Sequence, residues 1–125
     1  MKASLNSLHH QVSGWLRETD FYKQETAILE KRLEEVASKN TAPEISAQVE
    51  HFQNRFIITK EQLDILAHDL RKEESVVEEK AKQAPEHTNE KYTPVFDKMQ
   101  ARMKEFTTGF ADMRFEFNAF LSKTM

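Results

Sequence analysis

The residues best equipped for chemistry are five histidines: His9, His10, His51, His68 and His87. An imidazole ligates a metal or relays a proton only when partners share its face or stand on a facing element. No glutamate lies three residues before any of them, so the Glu-x-x-His pairs of a di-iron bundle are absent. His-Glu-x-x-His, which sets two zinc ligands on one helix face, is absent too. Zero cysteine removes thiolate sites, disulfides and a cysteine nucleophile. Two glycines, Gly14 and Gly109, leave no phosphate-cradling loop and no nucleophile elbow. The Glu50-His51 and His68-Asp69 doublets project about 100° apart on a helix, a poor geometry for a relay. No Ser-His-Asp arrangement stands out, so the chain is expected not to be an enzyme, and no cofactor is implied.

Any constellation of these histidines depends on the elements that carry them. Breakers cluster at Asn40-Thr41-Ala42-Pro43 and from Ala84-Pro85 to Thr93-Pro94. They divide the 125 residues into helices predicted over about 4–39, 42–84 and 88–122. Within the first, Leu5, Leu8, Val12, Trp15, Thr19, Tyr22, Thr26, Leu29, Leu33 and Val36 follow one another in steps of three and four. The second repeats the pattern from Ile45 to Leu70, weakening beyond Glu73, and the third from Tyr92 to Phe120. Such steps average 3.5 residues, the period of a coiled-coil seam, and no period-two stretch suggests a strand.

A connection of about three residues forces the first two helices into an antiparallel hairpin. The expected fold is all-α: one domain spanning 1–125, an elongated up-down-up three-helix bundle. In shape alone it is similar to a spectrin-type repeat, with Trp15 buried in the first helix. Thr41 and Glu44 are spaced for a capping box, Pro43 suits a first turn, and Asn40 suits a left-handed residue closing the first helix. Ser4 is a candidate cap for the first helix.

Composition narrows the partners. Lys and Arg total 18 against 21 Asp and Glu, for a formal net charge of −3. Both signs mix along every helix, as on a solvated face. Lys98, Arg102, Lys104 and Arg114 make the best basic patch, too small for a nucleic-acid footprint. No apolar run approaches the roughly 18 residues of a membrane span, and the opening residues hold no apolar core of signal-peptide length. The expectation is a cytoplasmic chain that binds neither nucleic acid nor membrane.

Folding the chain at residue 41 sets residue n roughly level with residue 82 − n. His9 then meets position 73, where Glu73 occupies the seam. With His10 and His87 it forms an expected end-of-bundle cluster (His9, His10, Glu73, His87) suited to zinc or a similar metal. Six large apolar residues project away from the seam: Phe21, Ile28, Ile57, Ile58, Ile65 and Phe115. They predict a second buried contact, most economically a homodimer face. The third helix, rich in Phe and Met, could also receive a partner helix. The expected function is a non-catalytic interaction, scaffold or adaptor protein that self-associates. The alternative is a bundle that binds a metal or small ligand at one end.

Overall fold

The computed structural model describes residues 5–83 and 93–124. They form three helices, α1 (Leu5–Lys39), α2 (Pro43–Gln83) and α3 (Thr93–Thr124), with no strand among the described residues. At 35, 41 and 32 residues, they are rods about 50–60 Å long. The expected all-α architecture is present. Pro94 lies in the first described turn of α3; the start expected near Thr88, the seam residue Tyr92 and the cap Ser4 lie outside the described residues.

The seam is the core. Leu8, Val12, Trp15, Leu29, Leu33 and Val36 of α1 are buried with Val49, Phe52, Phe56, Leu63, Leu66 and Leu70 of α2 and with Met99, Met103, Phe110, Met113, Phe117 and Phe120 of α3. Phe56 and Phe117 are fully enclosed. Their rings meet edge-on at 5.2 Å, with Phe52 5.1 Å from Phe117 and 5.3 Å from Phe120. Phe and Met are large spacers, and interaxial distance follows the side chains between the helices. Accordingly α1 and α2 run close together, while α3 stands further from both.

A layer of threonines interrupts this core. One apolar cluster fills the end with the α1–α2 connection and a second fills the opposite end, with half-buried Phe106 touching both. Thr19, Thr26 and Thr59 are buried near the middle of the bundle. Each hydroxyl donates to a carbonyl of its own helix: Leu16 at 2.8 Å, Tyr22 at 2.7 Å and Arg55 at 2.8 Å. Local pairing of this kind lets a polar seam residue be buried without an orphan donor.

Ion pairs line the flanks of the seam. Lys23 reaches Asp64 at 2.7 Å and Lys60 reaches Glu30 at 2.9 Å, joining α1 and α2. Arg55–Glu116, and Arg102–Asp69 at 2.9 Å, join α2 and α3. Exposed pairs contribute about 0–1 kcal/mol each, so burial of the seam dominates and the pairs follow its register.

Two local expectations are corrected at the first connection. Asn40 is not left-handed, since no described residue has positive φ. Its amide instead donates to the Val36 carbonyl at 3.0 Å, adding one more helical hydrogen bond. The first turn of α2 is closed by the Ala42 carbonyl, which accepts from the Ser46 amide at 2.9 Å. Ala42 rather than Thr41 is therefore the flanking residue. This places Pro43, which has no amide proton, at the first helical position.

Truncating Phe56 to Ala should lower stability by about 3–5 kcal/mol, read from urea unfolding, because the rigid ring cluster collapses poorly into the cavity. Thr26→Val should behave oppositely. Its hydroxyl satisfies a carbonyl that already has a helical partner, so stability should stay within about 1 kcal/mol of wild type, on the stabilising side.

Candidate functional site

At the end where α1 begins, His9 faces α2. Its Nδ1 lies 3.1 Å from Glu74 Oε2 and 3.9 Å from Glu78 Oε1. The three ligand atoms fall within 4.8 Å of one another. The Glu74 side chain is only 18% exposed, against 56% for His9 and 48% for Glu78. His10 is exposed beside it, the two imidazole centroids 6.2 Å apart.

His9 thus meets carboxylates as expected of this end, but not Glu73. That residue is half-buried and lines a cleft of about 240 Å³ between α2 and α3, with Lys72, Lys98 and Arg102. His87 lies outside the described residues. The shift from 73 to 74 and 78 has a geometric cause. Side chains lean toward the N-terminus of their own helix, so in an antiparallel pair both lean away from the mirror position. Lys23 and Glu30 show the same displacement: their partners Asp64 and Lys60 lie further along α2 than 59 and 52, the mirror positions. The sequence does carry a signal for the two glutamates, an acidic pair four residues apart on the flank of α2 that faces α1.

A second feature lies between α2 and α3 at mid-length, a groove of about 590 Å³. Arg55, Gln62 and Asp69 stand seven residues apart on its α2 edge; Glu116, Gly109 and Arg102 stand seven apart on its α3 edge. The outer two levels are the ion pairs Arg55–Glu116 and Asp69–Arg102. At the middle level Gln62 comes opposite Gly109, which has no side chain to offer. Phe106, Phe110, Met113 and Leu66 make the apolar floor, and Ile58 and Ile65 the α2 wall. A Cβ built on Gly109 would meet nothing within 4 Å.

The six off-seam residues are all exposed, from Ile28 at 48% to Phe115 at 78%. They do not form one patch. Ile58 and Ile65 border the groove. Phe115 projects from the outer face of α3, opposite its seam and about 100° around the helix from Glu116 of the ion pair that closes one end of the groove. Phe21 lies two residues, hence about 160°, around α1 from Lys23, which faces α2. Phe21 and Ile28, seven residues apart on that side, are remote from the groove, and Ile57 sits on the α1 side of α2.

Tyr22 has a displaced ionisation. Its ring packs 4.7 Å from Phe110 and 5.4 Å from Phe106. Burial pushes its pKa up, helped by the neighbouring Glu18 and Glu25 carboxylates and opposed by Arg114. Of the basic patch, Arg102 is engaged with Asp69 and Arg114 lies 5.9 Å over the Phe110 ring.

Fold and surfaces together define a long antiparallel three-helix bundle with a groove at its waist and a His–Glu–Glu trio at one end. No described helix is long and apolar enough to cross a membrane. Comparison with known protein families, curated proteins and solved structures gives no match.

Tyr22 yields a pH prediction. A tyrosine whose folded pKa is raised stabilises the fold fully below its unfolded value of about 10 and loses that contribution as pH rises through the folded value. Between about pH 8 and pH 11 the unfolding temperature of wild type should therefore fall more steeply than that of Tyr22→Phe.

Proposed function

We propose that the chain is a non-catalytic interaction module that pairs with a second copy of itself. Phe115 of each copy enters the groove of the other between Ile58, Ile65 and Gly109. The observation that carries this is the conjunction of Gly109 and Phe115 on one helix. Glycine in an exposed helix interior costs about 1 kcal/mol relative to alanine. Here no positive φ and no close neighbour demands it. Its effect is to keep the groove open where Gln62 would otherwise face a side chain.

Phe115 supplies the matching knob. It is the most exposed large apolar side chain among the described residues. It stands six residues from Gly109, about 9 Å along the axis. Knob and hole lie about 120° apart around α3, and a two-fold rotation that seats one Phe115 in the other copy's groove seats the second Phe115 likewise, so each contact is repeated once. Two buried phenylalanines contribute roughly 3–6 kcal/mol before association costs, and the isoleucines of the wall add to this. The ion pairs at the groove's ends make a polar rim around an apolar centre, the usual anatomy of a specific interface.

Sedimentation velocity at about 50 µM should show a dimer, with dissociation in the micromolar range. Phe115→Glu should give a monomer with unchanged helical circular dichroism. Gly109→Leu should also give a monomer, one that melts at higher temperature because it fills the groove and improves the helix. A wild-type monomer at that concentration, or a Phe115→Glu dimer, would refute the pairing. The former outcome would leave the groove for a foreign helix.

A further inference from the structure

We infer that His9, Glu74 and Glu78 form a binding site for a divalent transition cation of the zinc class, tying α1 to α2. The site uses none of the residues proposed for self-pairing. The donor set is one imidazole nitrogen and two carboxylate oxygens from two helices. Zinc bonds of about 2.0–2.2 Å to such atoms put neighbouring ligand atoms of a tetrahedron about 3.3–3.5 Å apart. The distances from His9 Nδ1, 3.1 Å to Glu74 and 3.9 Å to Glu78, bracket that edge. The three atoms already lie within 4.8 Å of one another. Small side-chain rotations close the remaining gap.

Charge points the same way. Even with a protonated imidazole, two carboxylates leave the trio at −1. Among the described residues, His9 is the only ion-pair partner within 4 Å of either glutamate. Glu74 is also largely withdrawn from water, which raises the cost of an unneutralised negative charge. A dication corrects the imbalance. Glu74 and Glu78, one turn apart, already present their oxygens on one helical face. Imidazole in the set favours zinc, nickel or copper over magnesium and calcium, which prefer oxygen ligands alone. Three protein ligands leave room for water in the fourth position.

The test is calorimetric titration of the full chain with Zn²⁺, followed by thermal unfolding with and without the ion. One site per chain is expected, with dissociation on the order of 10 µM. His9→Ala, and Glu74→Gln with Glu78→Gln, should each weaken binding at least about tenfold and abolish the rise in unfolding temperature. His51→Ala should leave both unchanged, and millimolar Mg²⁺ should give no signal. Phe115→Glu should keep the zinc affinity, separating this site from self-pairing. Binding weaker than about 100 µM, or binding that survives His9→Ala, would overturn the site.

Discussion

The structure depends on one constraint: three apolar stripes with a 3.5-residue period can be hidden from water only against one another. A helix of 35 or 41 residues carrying such a stripe has too little burial of its own to stand alone. Two of them joined by a short connection must run antiparallel, and the third must close the triangle. Once the seam is buried, the phase of every other residue follows. The flank of α2 nearest α1 carries Lys60 and Glu74, and the flank nearest α3 carries Arg55, Gln62 and Asp69. The ion pairs on those flanks are consequences of the packing, and they are too weak to have dictated it.

Side-chain size then decides where the surface opens. Backbones of α1 and α2 approach closely, with the small Thr19, Thr26 and Thr59 among their seam residues, whereas the Phe and Met residues that fill the α3 seam hold that helix at a distance. A wider gap must be covered by flanking side chains. On the α2/α3 boundary the covering is done by two ion pairs fourteen residues apart, with Gly109 midway between them. Between those two pairs the groove stays open, close to the threonine layer that divides the core. Thr59 lines that groove and its hydroxyl touches Met113 sulfur at 3.3 Å. Packing there combines small and soft side chains, while the phenylalanine cluster toward the α1–α2 connection is rigid.

Much of this is legible in the sequence because the seam period is unbroken. Helix type and the identity of the core follow from it, and so does the exposure of Phe21, Ile28, Ile57, Ile58, Ile65 and Phe115. What does not show is anything governed by side-chain direction rather than position. Glu73 occupies the seam opposite His9 by counting, yet leaning side chains bring Glu74 and Glu78 there instead. Asn40 has the composition of a left-handed cap but continues the helix, because the flanking position before Pro43 belongs to Ala42. Gly109 looks like an ordinary weak point in a helix until Gln62 is seen across from it.

The two surface features differ in kind, and that bears on how each can serve the molecule. The trio at the end joins helices that are already packed, so a cation there would reinforce a contact the seam has made. The groove does the reverse. Filling it from within would take only a larger residue at position 109, which would improve the helix and shield the floor of Phe106, Phe110 and Met113. Instead the chain keeps a glycine there and sets its most exposed phenylalanine 9 Å away along the same helix. Monomer stability alone favours neither choice. Both would become favourable together under the proposed pairing, in which the hole in one copy takes the knob of another.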